Sequence, residues 1–309
     1  MDDHSGAQVI AVISAFHPPQ ELSGRVRRLM QQVAHVVVVD DGSDPTGVDP
    51  CWADLEAAGA TLVRLERNSG IAAALNQGIQ TAITLWKPGF ILTLDQDSEL
   101  DIGYVAAALK TYSEATRSGV AVGLVAAQSH NERDVPLLAP SSGFQEAFDP
   151  LQSGAIIPLS TFEKVGMLDE RLFIDCVDSE FNLRIRSHGM ATLVGRGCNM
   201  EHALGHARPM TILGWHISVR GIKRHVHYHA PFRVYYITRN SVYLWRLYGL
   251  LFPGWLLRRL RFQMESDGFR LLYGPKRRQQ IIAILRGFAD GLRGHLGEID
   301  AALKTRIGA

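Results

Sequence analysis

The stretch "VVVVDDGSD" at residues 36–44 decides the fold of this chain. Four consecutive valines are typical of a parallel strand that other elements cover on both faces, because neither face carries polar side chains. The Asp, Gly and Ser residues that follow predict a turn at the end of that strand. The sequence therefore predicts a buried strand in a parallel sheet, with an acidic loop at its carboxyl end.

Strand and helix patterns alternate on both sides of this stretch. Short aliphatic and β-branched runs predict strands at 9–14, 61–65 and 90–94, and helical spacing predicts helices at 22–33, at 52–58 and in the alanine-rich segment after Gly70. Alternation of this kind predicts an α/β fold, in which helices flank both faces of a Rossmann-like, mostly parallel sheet.

The rest of the chain continues this pattern and then changes character. We predict a helix at 103–118, a strand at 120–126, a loop rich in Pro, Ser and Gly at 128–149, a strand at 154–159, and helices at 160–167 and 179–188. Beyond about residue 228 the pattern is helical, aromatic and rich in arginine. The sequence therefore predicts a first domain at 1–225 and a helical, basic and aromatic region at 226–309.

The overall composition excludes several classes of protein. The 309 residues carry a net charge of +1, so bulk attraction to nucleic acid is not expected. No run reaches the roughly 18 apolar residues of a membrane span, and the acidic start of the sequence differs from a basic signal peptide. The three cysteines show no metal-ligand or disulfide spacing, which fits a reducing compartment. We therefore expect a cytoplasmic protein.

Acidic residues follow two of the predicted strands. Asp40 and Asp41 follow the valines, and Asp95 and Asp97 follow the strand at 90–94. Ligands of open parallel sheets bind outside the carboxyl ends of the strands, so we expect these acids to share one crevice. Asp40 and Asp41 either form an Asx turn or accept hydrogen bonds from a ribose hydroxyl or the N3–H of a pyrimidine base.

The segment "DQDS" at 95–98 brings two carboxylates close enough to bind one hard divalent cation. Oxygen ligands suit Mg²⁺ or Mn²⁺, and such an ion can hold a diphosphate and neutralise it as it leaves. His202 adds a ligand if it meets Asp97 in space, and His206 is the alternative. The competing interpretation is a solvated turn, in which Asp97 or Ser98 caps a helix that begins with "ELDIGYVAAAL".

Two further segments carry candidate residues. Arg67, Asn68 and Gly70 precede the alanine-rich helix. One interpretation is that Ser69 caps this helix. The other is that the small side chains of the helix let a nucleotide approach its amino-terminal amides. The segment at 168–189 mixes five acids with apolar residues. Either these acids complement a helix dipole, or shielding from water raises the pKa of one of them toward the range of a general base.

These segments, in this order, resemble the family 2 glycosyltransferases, and most closely the bacterial rhamnosyltransferase branch of that family. The resemblance spans residues 9–246 and rests on "VISAFHPP", "VVVVDDGSD", "RNSGIAAALNQGI", "LTLDQDS", "QSGAIIPLSTFEKVGMLDERLFIDCVDSEFNLRIRSHG" and "HAPFRVYYITRNSVYLWR". It implies an A-type glycosyltransferase fold, with a nucleotide-sugar donor bound across the amino half.

The resemblance also implies roles for individual residues. The donor is expected to contact Phe16, Pro18, Asp40, Asp41, Arg67, Asn68, Gly70, Asn76, Asp95, Gln96 and Asp97. Mg²⁺ or Mn²⁺ is expected to bind Asp95, Asp97 and His202, and the acceptor to contact Ser153, Gly154 and Glu180. The expected catalytic base is Asp178, with Asp175 as its rival, because Val177 stands where much of the wider family has the Glu of a Glu-Asp pair.

The activity implied by the resemblance is inverting sugar transfer. dTDP-L-rhamnose is the favoured donor and UDP-sugars stay open. The acceptor is expected to be a hydroxyl of a glycan or of a lipid-linked saccharide, in the synthesis of a cell-surface polysaccharide such as O-antigen. The alternatives are a nucleotidyltransferase that uses the same acids and a non-catalytic nucleotide-sugar-binding protein. The basic carboxyl-terminal helices either pack on the domain, lie on the inner face of the cytoplasmic membrane, or form a homodimer contact.

Overall fold

The computed structural model describes residues 8–44, 52–138, 143–202, 207–212, 215–216, 218–219, 222–223 and 225–308. The chain forms two compact units, the first of residues 1–173 and 177–203 and the second of residues 174–176 and 204–309. The division falls at residue 203, earlier than the predicted boundary near residue 225. The reason is that strands within 207–227 pair among themselves and do not join the main sheet.

The first unit alternates strands and helices along most of its length. Its elements in chain order are β1 (Val9–Ala15), α1 (Leu22–Leu29), β2 (His35–Asp40), α2 (Trp52–Ala57), β3 (Thr61–Arg64), α3 (Ile71–Trp86), β4 (Phe90–Asp95), β5 (Glu99–Leu100), α4 (Tyr104–Arg117), β6 (Val122–Ala126), β7 (Ser129–His130), β8 (Arg133–Asp134), β9 (Ala155–Pro158), α5 (Leu159–Val165), α6 (Val177–Ser187), β10 (Ala191–Val194) and β11 (Asn199–Glu201). The alternation predicted for the first hundred residues is confirmed.

Seven strands form the main sheet, in the order β10–β6–β9–β4–β1–β2–β3. Every neighbouring pair is parallel except those of β9, which runs antiparallel to both β4 and β6. The predicted α/β fold with a mostly parallel sheet is therefore confirmed. Asp40 pairs with Ala15 and Asp95 with Ser14, so the two acidic strand ends lie on either side of the end of β1.

Helices cover both faces of the sheet, as the four valines of β2 require. Val36 and Val38 belong to one apolar cluster with residues of α1, α2 and α4, whereas Val39 faces α3. Gly78 of α3 permits this second contact, since a Cβ at Gly78 would collide with Val12 and Val39. The small residues of α3 thus let that helix lie directly against the sheet.

Three features of the secondary structure differ from the prediction. Residues 99–100 form β5, so α4 begins only at Tyr104 and neither Asp97 nor Ser98 caps it. The predicted loop at 128–149 contains β7 and β8, and neither β10 nor β11 is predicted. β5, β11, β7 and β8 form a second sheet in that order. The strands β5, β7, β8 and β11 have only two or three residues each, too few to show an alternating pattern.

The second unit consists of short paired strands followed by helices. Its elements are β12 (Ala207–Pro209), β13 (Thr211–Ile212), β14 (Trp215–His216), β15 (Ser218–Val219), β16 (Ile222–Lys223), β17 (His225–His227), α7 (Pro231–Tyr248), α8 (Pro253–Tyr273), α9 (Arg277–Arg293) and α10 (Ala301–Ile307). These helices confirm the predicted carboxyl-terminal region. Across the described ranges, we find no helix with both the length and the apolar character of a membrane span.

Candidate active site

Asp95, Asp97 and His202 converge beyond the carboxyl end of β4. Asp95 ends the strand, Asp97 lies in the turn after it, and His202 follows β11, which pairs with β5 next to that turn. One ligand atom from each side chain lies within 4.8 Å of the other two. His202 Nδ1 is 3.2 Å from Asp97 Oδ1, and Nε2 is 3.9 Å from Asp95 Oδ2. The three residues predicted to hold a cation thus meet, while His206 lies outside the described residues.

Gln96 ties this acid turn, residues 95–98, to the loop after β1. Its Oε1 accepts a hydrogen bond from Phe16 N–H at 2.9 Å, and its Nε2 donates to the Phe16 carbonyl at 3.2 Å. Arg25 Nη1 donates to the Gln96 carbonyl at 2.9 Å. The Phe16 side chain is exposed and Pro18 is buried. Gln96 therefore positions the acid turn, and donor contacts of Gln96, Phe16 and Pro18 stay predictions.

A chain of polar contacts holds the three converging residues in place. Ser98 Oγ lies 2.9 Å from His202 Nδ1 and 2.7 Å from Ser153 Oγ, which accepts from Asp95 N–H at 3.1 Å. Gln152 Nε2 donates to Asp95 Oδ1 at 2.6 Å. Partners of this kind fix the orientation of metal ligands. The site is therefore preorganised by side chains that do not themselves belong to the cluster.

The charges of the cluster support one another. Burial acts to raise the pKa of Asp97, but the hydrogen bond and charge of His202, together with the charge of Arg25, lower it overall. The hydrogen bond with Asp97 raises the pKa of His202 against the effect of burial, and the charges of Asp95 and Asp97 add to that rise. A positive charge is therefore favoured at this point, whether an imidazolium or a metal ion carries it.

The donor set fits the predicted cation. Carboxylate oxygens suit Mg²⁺ and Mn²⁺, and imidazole is a common ligand of transition metals. The side chains of Asp95 and Asp97 are 27% and 34% exposed, which leaves room for a further ligand. Two carboxylates and one imidazole within bonding range of a single point therefore make a suitable site for either ion.

The acids after β2 serve the loops around them. Asp40 Oδ1 accepts from the N–H and the hydroxyl of Ser43, at 3.1 and 2.5 Å. Asp41 accepts from the backbone N–H groups of Ser69 and Gly70, at 2.7 and 3.0 Å. Burial raises the pKa of Asp41 although these two bonds oppose the shift. Asp40 thus bonds to the loop that follows it, three residues on and not two as in an Asx turn, and donor contacts of both acids stay predictions.

The amino end of α3 is held by groups of the protein itself. Its N-cap residue is Gly70, so the predicted Ser69 cap is wrong. Asp41 holds the two residues before the helix through the N–H groups of Ser69 and Gly70, and Ile71 N–H donates to the Phe173 carbonyl at 2.9 Å. Gly70 has a φ of 93°, and a Cβ there would collide with the Phe173 backbone. The amides of Ser69, Gly70 and Ile71 are thus bonded within the protein, and a nucleotide contact at the amino end of α3 stays a prediction.

Three other residues expected at the nucleotide lie on or just before α3. Arg67 is exposed, and Asn68 Oδ1 accepts from Gly70 N–H at 3.2 Å. Asn76 is buried and bonds twice with the backbone of Leu168, donating at 2.9 Å and accepting at 3.0 Å. These bonds give Asn76 a structural role, and the nucleotide contacts of all three residues stay predictions.

Asp178 lies in the first turn of α6. The loop before β9, at residues 149–152, links that turn to the cluster of Asp95, Asp97 and His202. Asp178 Oδ1 accepts from Ser179 N–H at 2.8 Å. Ser179 Oγ donates to Asp149 Oδ2 at 3.0 Å, and three residues later the same loop supplies Gln152 to Asp95. One short loop therefore connects the expected base and the acid turn.

The residues expected at the acceptor all have partners within the fold. Ser153 is buried in the contacts described above. Gly154 has a φ of 85°, and its carbonyl accepts from the Tyr104 hydroxyl at 2.7 Å. Glu180 is buried and accepts twice from the Arg184 guanidinium, at 3.1 and 2.6 Å. These contacts are structural, and a role of the three residues at the acceptor stays a prediction.

Asp175, the rival base, lies in a strained turn. Phe173, Asp175 and Cys176 have φ angles of 65°, 63° and 61°, which are unfavourable for residues with a Cβ and which cluster at functional sites. Both Asp175 oxygens accept from Arg233, at 2.6 and 3.3 Å. Asn240 Nδ2 donates to the Asp175 carbonyl at 2.8 Å. Arg233 and Asn240 therefore hold this turn in its strained conformation.

Comparison with known proteins identifies the family. The sequence model described as "Glycosyl transferase family 2" matches residues 10–166. The chain belongs to glycosyltransferase family 2. A relative in Shigella flexneri, "dTDP-rhamnosyl transferase RfbF", is 30% identical over 254 residues, which cover 78% of this chain and 80% of that protein. This glycosyltransferase is therefore rhamnosyltransferase-like, and the nucleotidyltransferase and non-catalytic alternatives are not supported.

Solved structures support the same fold for this family 2 glycosyltransferase. TarS of S. aureus has a TM-score of 0.53 at 15% identity, covering 96% of this chain and 50% of that one. GalNAc-T7, solved with UDP, GalNAc and Mn²⁺, has a TM-score of 0.51 at 16% identity, covering 65% of this chain and 44% of that one. The chain thus spans half or less of these proteins. At such identities the likeness shows the fold alone, and it confirms the A-type glycosyltransferase fold.

Three residues that support the cluster are absent from the sequence prediction of the site. Ser98 and Gln152 directly adjoin residues that were singled out, so their position in the sequence was a usable signal. Asn131 donates to the His202 carbonyl at 2.6 Å and accepts from His202 N–H at 3.0 Å. It lies in a segment predicted as a loop, where no motif marks it.

Proposed function

We propose that this enzyme transfers L-rhamnose from dTDP-L-rhamnose to an acceptor hydroxyl, with inversion at the anomeric carbon. The observation that carries the proposal is the convergence of Asp95, Asp97 and His202 at the carboxyl edge of the sheet. The dTDP-rhamnosyl relative supports the donor. UDP-sugars are the alternative, because uracil and thymine present the same N3–H, and a TarS structure holds UDP.

The cluster would hold a Mg²⁺ or Mn²⁺ ion, which would neutralise the diphosphate as it leaves. Ser98 keeps the His202 ring in place from 2.9 Å, and Gln152 orients the Asp95 carboxylate from 2.6 Å. Arg25 adds a positive charge beside Asp97, since it is among the groups that lower the pKa of that acid. These residues would present two carboxylates and one imidazole to the cation, whose charge would balance that of the diphosphate.

Asp178 is the proposed general base. A carboxylate on the face opposite the diphosphate accepts the proton of the attacking hydroxyl, and attack from that face inverts the centre. Asp178 is favoured over Asp175, because the family resemblance assigns the base to the Asp of the Glu-Asp pair, and Asp178 has that position in the first turn of α6. The loop from Asp149 to Gln152 supports this choice, since it connects the start of α6 to Asp95.

The proposed acceptor is a glycan or a lipid-linked saccharide in cell-surface polysaccharide synthesis, such as that of O-antigen. Ser153, Gly154 and Glu180 are the proposed acceptor-side residues, and they lie on the loop before β9 and on α6. We place the enzyme in the cytoplasm, at the inner face of the membrane when its acceptor is lipid-linked. A homodimer contact through the carboxyl-terminal helices stays a prediction.

A thermal-shift comparison of dTDP, UDP and GDP, each with and without Mn²⁺, tests the donor and the cation together. Ligand at a hundredfold excess over its Kd stabilises a protein by about 2.7 kcal/mol. We expect the largest shift for dTDP with Mn²⁺, a smaller one for UDP and none for GDP. Equal shifts for all three nucleotides, or shifts that ignore Mn²⁺, would contradict the proposal.

Turnover of the base variants tests the chemistry separately. Asp178→Asn should lower turnover by about 10²- to 10⁴-fold and leave the dTDP-dependent thermal shift intact. Asp175→Asn is the matched variant. Near-normal turnover of Asp178→Asn with a large loss in Asp175→Asn would move the base to Asp175. NMR of the anomeric proton of the product tests inversion.

A further inference from the structure

Helix α9 has one face packed inside the second unit and one face turned outward. On the inner face, a Cβ at Gly287 or Gly291 would collide with the carbonyls of Tyr235 or Arg239, so α9 lies in close contact with α7. Asp290 on the same face accepts from the Tyr235 hydroxyl at 3.0 Å. The helix is therefore firmly seated, and its outer face belongs to a fixed surface.

The outer face of α9 is a continuous apolar stripe. It consists of Ile281, Leu285, Phe288 and Leu292, which are 47%, 65%, 46% and 50% exposed. Their spacing of four, three and four residues puts them on one side of a helix. Soluble surfaces expose apolar side chains singly, and a contiguous stripe of large ones indicates a binding surface.

The exposed charges of α9 itself all have one sign. Arg278, Arg286 and Arg293 are exposed on α9, and the one acid of that helix, Asp290, is buried against Tyr235. A helix with an apolar stripe, flanking arginines and no exposed acid has the composition of a helix that lies in the interface of an anionic bilayer.

From this complementarity we propose that the outer stripe of α9 docks on the surface of an anionic membrane. A second copy of this chain fits the stripe less well, because a two-fold contact would set the arginines of one copy beside those of the other. The inference rests on the proposed function in that a lipid-linked acceptor gives the contact its purpose.

Flotation of the full-length protein with vesicles tests the docking. The protein should bind vesicles of equal parts phosphatidylglycerol and phosphatidylcholine, and bind pure phosphatidylcholine much less. Leu285→Glu with Phe288→Glu should lower the bound fraction by at least about tenfold, because two inserted side chains become charged. Arg286→Gln with Arg293→Gln should lower binding to the anionic vesicles by about tenfold. Failure of the wild type to bind either vesicle overturns the inference.

The matched control places the same charges on exposed apolar residues of the first unit, Leu85→Glu with Ile102→Glu. This control should bind vesicles like the wild type.

Circular dichroism and the dTDP thermal shift check that each variant is folded and binds donor. Vesicle binding without any donor binding would sink the proposed function and leave the docking intact. A wild-type dimer in light scattering, abolished by the Leu285 and Phe288 changes, with no vesicle binding, would assign the stripe to a second copy.

Discussion

Two acidic pairs at the carboxyl edge of the sheet have similar sequence settings and different surroundings. Asp40–Asp41 and Asp95–Asp97 each follow a buried strand that pairs in parallel with β1. The oxygens of the first pair accept hydrogen bonds from loop residues around them. The oxygens of the second pair face each other and His202.

The two acidic pairs differ in the groups that contact their carboxylates. The backbone amides at Ser69 and Gly70 are fixed donors, so a carboxylate that caps them is used permanently. The Asn131 side chain bonds to the backbone carbonyl and N–H of His202. The ring of His202 contacts Asp95 and Asp97. At the second pair, by contrast, the neighbouring element contributes a side chain, His202, that joins the two acids in one cluster.

Asp97→Asn should have the largest effect, and it tests whether the second acidic pair serves a cation. A metal ion supplies several kcal/mol of transition-state stabilisation, and each 1.36 kcal/mol is about tenfold in rate, so turnover should fall by about 10²- to 10³-fold. The partly exposed side chain makes a loss of stability above about 0.5 kcal/mol unexpected. Transfer rates during a Mn²⁺ titration measure the effect, with the exposed Asp101→Asn as control. Retained turnover with reduced stability would make the acid turn structural.

Asp41→Ala should show the opposite behaviour. Without its carboxylate, the N–H groups of Ser69 and Gly70 lose their acceptor, which should cost about 1–3 kcal/mol of stability. Urea unfolding measures this loss, and Asp41→Asn should recover part of it because one acceptor oxygen remains. Unchanged stability with lost dTDP binding would show that Asp41 serves the ligand as Asp97 does.

Six of the seven strands of the main sheet could be predicted, all but β10, because most of them are buried and long enough to show a pattern. The valines of β2 and the run before Asp95 are buried, so apolar residues dominate both, and the one polar side chain of that run, Thr93, bonds to the Gln152 carbonyl. β5, β7 and β8 could not be predicted, because two-residue strands are defined by their partners across the chain. Residues 99–100 illustrate this, since pairing with β11 overrides the helical pattern that begins there.

The cation cluster could be predicted from residue types, but the roles around it could not. The acids of the turn can be recognised in the sequence because they follow a predicted strand. Nothing in the sequence shows that Asp41 accepts from the Ser69 and Gly70 amides, because that contact depends on how two loops meet in space. The Glu180–Arg184 pair, by contrast, has the i,i+4 spacing of neighbours on one helix face, so the sequence does contain a signal for it. Asn131 carries no such signal, because its partner is 71 residues away.

Ser98→Ala tests whether the Ser98 hydroxyl orients the His202 ring for the cation. Ser98 contacts both the His202 ring and Ser153, so its hydroxyl joins the imidazole to the loop that holds Asp95. Loss of a group that orients a metal ligand typically lowers metal affinity by about 10- to 100-fold, and the lower end is expected here because Asn131 still holds the backbone. Calorimetric titration with Mn²⁺ measures the change. Unaltered affinity would show that the backbone alone positions His202.

Ser43→Ala is the same substitution at the other acidic pair and should have the smallest effect. The Ser43 hydroxyl donates to Asp40 Oδ1 at 2.5 Å and accepts from His17 N–H at 2.8 Å. The site is partly exposed, so water replaces much of what is lost, and stability should fall by about 0.5–1 kcal/mol. Urea unfolding should detect this, while Mn²⁺ affinity stays at the wild-type value. An effect on Mn²⁺ affinity as large as that of Ser98→Ala would mean that the two acidic pairs form one coupled site, because the loop that Asp40 orders would then be supporting the ligands of the cation as well.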